Sequence, residues 1–273
     1  MLDKKKVLLG MSGGVDSSVS ALLLKEKGYE VIGITMQLWC DDKKTVEDAK
    51  KVCDKLGIEH HVVNYKEEFK KYVIDDFINK YLDAKTPNPC IECNRYLKFG
   101  MMWEKAKELG AYYIATGHYA KTCYSEKYKR YVIKKSDSIK KDQSYVLYNI
   151  PKEIIEHIIF PLQSFESKDD IRNIAIKNGL IVANKPDSQE ICFIPDNDYS
   201  NFLKENVNDI ESKNCIKPGN IVDISGNVRG QHKGLINYTI GQRKGLGIQN
   251  DKPLYVIKLD KKYNQVIVGQ KEN

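Results

Sequence analysis

Short apolar runs alternate with amphipathic stretches through the first half of the chain. KVLLG (residues 6–10) and EVIGITMQLW (30–39) are nearly continuous in apolar side chains, the pattern of strands buried on both faces. Between them SSVSALLLKEKG (17–28) has helical spacing and closes on Gly28. TVEDAKKVCDKLG (45–57) repeats the helix with a stop at Gly57, and HHVVNY (60–65) is the next strand. A long helical stretch runs over about 67–84, TPNPCIECNR (86–95) interrupts it as an extended turn, and LKFGMMWEKAKELG (97–110) resumes helix before strand YYIATGHYA (112–120). Strand, helix, strand, helix in this order predicts a parallel sheet covered on both faces.

After Ala120 the texture changes. CYSEKYKRYVIKK (123–135) predicts a hairpin, KKDQSYVLYNI (140–150) follows, and SKDDIRNIAIKNGL (167–180) predicts a helix capped by Ser167 and ended at Gly179. Beyond Asn206 the pattern becomes glycine-punctuated short strands: PGNIVDISGNV, GLINYTIG, PLYVIKLD and NQVIVG, a small β domain. The 273 residues exceed the roughly 100–200 of a usual single domain, and the division expected is 1–205, α/β with a parallel sheet, and 206–273, mainly β.

Composition narrows the class rather than the chemistry. Hydrophobic residues at 41% and charged residues at 30% describe an ordinary globular chain with no run approaching a membrane span. The basic start has no cleavage site after its apolar run, so a secretory leader is not expected and a cytoplasmic protein is. Seven scattered cysteines, Cys40, Cys53, Cys90, Cys93, Cys123, Cys192 and Cys215, do not form the dense even framework of a small secreted domain. Of the net charge of +7, residues 206–273 hold +5, from 11 Lys and Arg against 6 Asp and Glu; this suits a polyanion such as RNA and equally a solvated lysine-rich face.

LLGMSGGVDSS (8–18) sets glycines between a strand and a helix, where exposed N–H groups and the helix dipole attract an anion. It lacks the Gly-Lys-Ser/Thr of a P-loop and the spacing of a dinucleotide fingerprint. Two glycines alone would equally suit a turn needed for close packing. In the CxxC of residues 90–93 no second pair stands at zinc-ligand spacing, and Pro87 and Pro89 precede it where a thioredoxin-like motif would differ. Buried structural thiol is the reading for Cys40, Cys53, Cys123 and Cys215. Cys192, in NKPDSQEICFIPDNDY, lies almost a hundred residues downstream in another Pro/Asp/Ser-rich turn, so two distant loops are expected to converge.

The string SGGVDS resembles the pyrophosphate loop of the adenine nucleotide alpha hydrolase (HUP, Rossmann-like) superfamily. With TPNPCIECNRYLKFG, ATGHYA, KKDQSYVLY, SQEICFIPDNDY and GLINYTIGQRKGLGI, nearly the whole chain closely resembles the tRNA-specific 2-thiouridylases. The resemblance implies ATP at Gly10, Met11, Ser12, Gly13, Gly14, Val15, Asp16 and Ser17, with Met36 and Gly117 bordering the nucleotide and Asp16 aiding Mg²⁺. ATP would adenylate the C2 oxygen of the wobble uridine of tRNA for Lys, Glu or Gln, and sulfur would replace it. By the same resemblance Cys192 bears a persulfide from a cysteine desulfurase or sulfur relay. Cys93 is the nucleophile or the thiol that releases sulfur, leaving a Cys93–Cys192 disulfide.

Asn88, Pro89 and Cys90 fall where the family contacts the target base, His118 at the substrate, and Lys141, Asp142 and Gln143 on a tRNA-contacting segment. Arg243 and Lys244 are the expected phosphate contacts of the β domain. Many members have Asp where Cys90 stands, so Cys90, Cys93 and Cys192 also form a donor set for a [4Fe–4S] cluster with one open iron. Members usually continue past VIVGQKEN into a C-terminal β-barrel, which puts tRNA affinity in question. The competing readings are a different adenylating enzyme of the same fold, forming an amide or amine, and a non-catalytic tRNA-binding or sulfur-carrying paralogue.

Overall fold

The computed structural model describes residues 2–39, 43–186, 191–194, 196–207 and 212–270. Cys40 and the first three residues of SQEICF fall outside them. The chain divides into two compact units, one of residues 1–73 with 90–189 and one of residues 74–89 with 190–273.

In the first unit β1 (Asp3–Gly10), β2 (Glu30–Gln37), β3 (Glu59–Asn64), β4 (Ala111–Ala115) and a short β7 (Ile158–Ile159) form a parallel sheet in the order β3-β2-β1-β4-β7. Successive β1 side chains serve opposite faces. Val7 and Leu9 enter one core with Val19 and Leu24 of α1 (Val15–Glu26), Val52 of α2 (Lys43–Leu56) and Ile171 of α7 (Lys168–Lys177). Leu8 enters the other with Ile32, Ile34, Phe99, Met102 and Ile114. Burial on both faces is why these strands read as apolar runs. The antiparallel hairpin of β5 (Ala120–Ser125) and β6 (Arg130–Lys135) stands where the sequence places it.

Two local expectations change. No extended turn separates Cys90 from Cys93: helix begins at Pro89, continues through α5 (Pro89–Glu92) into a π-helical stretch (Cys93–Met101), and ends as α6 (Met102–Glu108). Proline suits the first helical position, where its missing N–H would have had no helical partner. A second π stretch (Lys70–Ile74) follows α3 (Lys66–Phe69), and the Tyr72 and Tyr96 rings of the two π stretches stack at 4.5 Å. Nor does GLINYTIG form a strand: Gly234 adopts φ 114°, and Leu235–Asn237 make a 3₁₀ turn closed by Asn237 Nδ2 on the Lys233 and Gly234 carbonyls.

The second unit has a sheet ordered β10-β11-β8-β9, from β8 (Gly219–Asp223), β9 (Val228–His232), β10 (Tyr255–Asp260) and β11 (Gln265–Gly269). Its aromatic cluster joins Phe77 and Tyr81 of α4 (Asp75–Leu82) to Phe193 and to Tyr199 and Phe202 of α8 (Tyr199–Asn206). Among the described residues no helix is long and apolar enough to cross a membrane.

Candidate active site

The loop between β1 and α1 follows from its small residues. Gly13 sits at φ 61°, and an added Cβ would lie 2.6 Å from the Thr45 carbonyl oxygen, so both conformation and space require glycine. Met11 remains tied to the sheet: its N–H donates to the Ile34 carbonyl at 2.8 Å, and its carbonyl accepts from Thr35 Oγ1 at 2.9 Å. Ser17 and Ser18 turn their hydroxyls back onto the Gly14 carbonyl, and Ser17 Oγ also accepts from the Ser12 N–H. Gly14 caps α1 without a side chain, so no side chain covers the first-turn N–H groups at the positive end of this twelve-residue helix, an end that favours negative charge.

Two lysines, for which the sequence offers no signal, hold this loop. Lys168 Nζ pairs with Asp16 Oδ2 at 2.5 Å, and Tyr119 Oη donates to Asp16 Oδ1 at 2.9 Å. Lys185 Nζ donates to the Gly13 carbonyl and to Asp48 Oδ2, both at 2.9 Å. Because the peptide unit is planar and trans, a Gly13 carbonyl held by Lys185 directs the Gly14 N–H the opposite way. Lys185 thus fixes the orientation of one loop donor, and Asp48 fixes Lys185.

The loop follows β1, Met36 is the penultimate residue of β2 next to it, and Gly117 and His118 follow β4 on its other side. All lie at the carboxyl ends of adjacent parallel strands, where open α/β sheets bind ligands. Gly117 lies against the first turn of α1: a Cβ there would stand 3.0 Å from Asp16 Cβ and 3.1 Å from Ser17 N. His118 bonds Thr116 Oγ1 through Nδ1 at 2.8 Å and packs near the Phe99 and Phe160 rings. Burial, with a smaller contribution from Lys98, pushes its imidazole down to about 3, so it stays neutral at physiological pH.

The model of the tRNA methyl transferase HUP domain matches residues 5–196, and that of the tRNA methyl transferase PRC-barrel domain matches 200–270. The tRNA-specific 2-thiouridylase MnmA 1 of Caldanaerobacter subterraneus subsp. tengcongensis is 53% identical, over 98% of this chain and 76% of the relative. This chain belongs to the tRNA-specific 2-thiouridylase family. The 2-thiouridylase MnmA of Clostridioides difficile is 50% identical over 100% of this chain and 77% of its own length, and that of Acetivibrio thermocellus 52% over 98% and 77%.

The cysteines of this 2-thiouridylase-family chain differ sharply in environment. Cys53 is fully buried on α2, and burial pushes its thiol up to about 12, an inert structural group. Cys215 is also buried, its thiol raised by burial and donating to the Leu82 carbonyl at 3.1 Å. Cys90 is exposed and Cys93 buried, three positions apart along one helix. Next to Cys93, Asn94 is 1% exposed and donates through Nδ2 to the Val146 carbonyl, joining the cysteine-bearing helix to the segment after Gln143.

In the second unit, Cys192 is exposed on a turn closed by the Ile194 N–H on the Ile191 carbonyl, while Phe193 and Ile194 are each 2% exposed. Burying its neighbours presents the thiol outward. Asn88 is exposed and Pro89 buried in that unit, and exposed Arg243 and Lys244 lie near a shallow groove of about 220 Å³ that Arg243 lines. Lys141 is exposed in the first unit, whereas Asp142 and Gln143 direct their side chains inward: Asp142 Oδ1 accepts from the Ser136 N–H, and Gln143 Oε1 from the Tyr119 N–H. Among the described residues no three His, Cys, Asp or Glu side chains are grouped as metal ligands.

Proposed function

We propose that this protein uses ATP to exchange the C2 oxygen of the wobble uridine of tRNA for sulfur. The observation that carries the ATP step is the N-terminus of α1, free of any side-chain cap and bordered by Asp16 and Gly117 at the carboxyl edge of the sheet. The α1 N–H groups and Lys168 attract the ATP phosphates. The Asp16 carboxylate, partly exposed, would hold Mg²⁺ once the Lys168 ammonium turns to the phosphates, and the ion would neutralise charge on the phosphate oxygens.

The uridine C2 oxygen attacks the α-phosphorus, pyrophosphate leaves, and an oxygen that was a poor leaving group becomes part of AMP. A persulfide on Cys192, supplied by a cysteine desulfurase or a relay protein, provides the sulfur. Cys93 attacks Cys192 Sγ and expels hydrosulfide, which adds to C2, or the terminal persulfide sulfur adds to C2 first and Cys93 then attacks Cys192 Sγ, breaking the S–S bond and leaving the outer sulfur on C2. Either route transfers sulfur to C2, expels AMP and leaves the two thiols oxidised to a disulfide, which an external thiol reduces. With Cys93 brought to Cys192, sulfur release becomes effectively intramolecular.

The extruded base is read by Asn88, Pro89 and Cys90, and Lys141, Arg243 and Lys244 contribute phosphate attraction. The test incubates the protein with ATP, Mg²⁺, a sulfide or persulfide source and unmodified tRNA for Lys, Glu or Gln. Mass spectrometry of the digested tRNA is expected to show 2-thiouridine, with pyrophosphate release that requires tRNA. Pyrophosphate release without tRNA and without 2-thiouridine would instead favour a different adenylating enzyme.

A further inference from the structure

We propose that the β5–β6 hairpin is a tRNA-gripping arm of the ATP-binding unit, an inference that rests on the tRNA reading above. Six Lys and Arg stand against one Glu from Lys121 to Lys135, a local net charge of +5. The register puts Lys121 opposite Lys134 and Tyr124 opposite Tyr131. Like charges directly opposite weaken a strand pair, and a two-stranded hairpin has little stability of its own to lose. Asp137 relieves the first pair by bonding Lys121, while Glu126 pairs with Lys129 near the tip in a highly exposed contact.

Alternation along the strands sends Lys121, Arg130 and Lys134 to one face and Tyr124, Tyr131 and Ile133 to the other. Ile133 packs on the core, but Tyr124, Tyr131 and the tip residue Tyr128 remain 48%, 39% and 58% exposed. Tyr124 and Tyr131 meet edge to face at 5.5 Å, and the Lys127 ammonium lies 5.1 Å from the Tyr128 ring centre. Rings open to stacking, interleaved with cations, match RNA, which presents phosphates and base faces together.

The root of the arm is built into the site. Tyr119, immediately before β5, exchanges two bonds with Gln143: its N–H donates to Oε1 at 3.0 Å and its carbonyl accepts the Gln143 N–H at 2.9 Å. Ser136, immediately after β6, donates its N–H to Asp142 Oδ1 at 2.8 Å. Asp142 and Gln143 therefore hold the arm in place, and the hydroxyl of Tyr119 reaches Asp16 in the phosphate loop. The grip and the ATP loop share one residue.

The test measures binding of full-length unmodified tRNA across a salt series for the wild-type chain and a Lys127→Gln/Lys129→Gln/Arg130→Gln variant, with ATP binding as the control for folding. The variant is expected to bind tRNA about tenfold or more weakly, with a slope of log affinity against log salt smaller by about 2 to 3. A Tyr124→Ser/Tyr131→Ser variant is expected to lose affinity with the slope unchanged. Wild-type affinity and slope in the triple variant overturn the proposal while leaving the proposed reaction standing. So does a defect confined to thiolation with a sulfur-donor protein and absent with sulfide, which would make the arm a protein dock. A wild-type chain that binds no tRNA overturns both readings.

Discussion

Replacing Gly117 by alanine puts a methyl carbon 3.0 Å from Asp16 Cβ and 3.1 Å from both Asp16 C and Ser17 N. Carbon atoms settle at about 3.5–4.0 Å, and two of these three neighbours are backbone atoms of the first turn of α1, which cannot swing aside. The loop after β4 must therefore move off the helix by several tenths of an ångström, and overpacking of this kind costs about 1–3 kcal/mol. That cost divides between the fold and the nucleotide site. Urea unfolding reads the first share. The KM for ATP in tRNA-dependent pyrophosphate release reads the second, at about tenfold per 1.4 kcal/mol. The two together are expected to reach at least about 1 kcal/mol, with ATP carrying part because Ser17 N belongs to the phosphate-facing turn. Stability within about 0.5 kcal/mol of wild type and an unchanged KM would refute the close approach of Gly117 to the loop.

Lys185→Met leaves the partly buried Asp48 without its cation and releases the Gly13 carbonyl. Hydrogen bonds to charged groups contribute about 1.5–3 kcal/mol, so the KM for ATP should rise about tenfold or more while tRNA affinity holds, and Lys185→Arg should recover part of the loss. His118 is neutral when folded and protonates when unfolded, so its burial favours the unfolded state progressively as pH falls from about 6.5 toward 3. His118→Asn should therefore reduce the stability lost between pH 7.5 and 5 by about 1–2 kcal/mol, measured by urea titration; an unchanged pH dependence would contradict a half-buried imidazole that stays neutral. Cys93→Ser and Cys192→Ser should each abolish 2-thiouridine formation with ATP binding intact, and thiolation surviving both would sink the persulfide route. Anaerobically purified protein should retain activity with iron and sulfide near zero; activity that tracks iron content would restore the cluster reading.

Backbone requirements are local, and so they were legible in sequence. The order of the parallel strands follows from alternating apolar runs and helices, the helix stops at Gly28, Gly57 and Gly179 all adopt positive φ, and Ser167 accepts the Asp169 N–H as an N-cap. The glycine loop after β1 belongs to the same class, because its turn needs small residues between a strand and a helix and shows itself within a few positions. The start of the helix at Pro89 was less legible, since proline serves a turn and a first helical turn equally well.

Side-chain partners came only with the tertiary structure. Lys168 and Lys185 reach the phosphate loop across 152 and 172 positions of chain. Nothing local distinguishes either from the other lysines. Asp142 and Gln143, which the family resemblance puts on a tRNA-contacting segment, also bond the ends of the hairpin, a pairing that nothing in the local sequence announces. The sequence by itself determined the parallel sheet, the glycine loop after β1 and the helix stops, all set by short-range pattern. Which charges hold the cradle, and which thiols are buried, depended on contacts between segments far apart in the chain, where no short-range pattern exists to read.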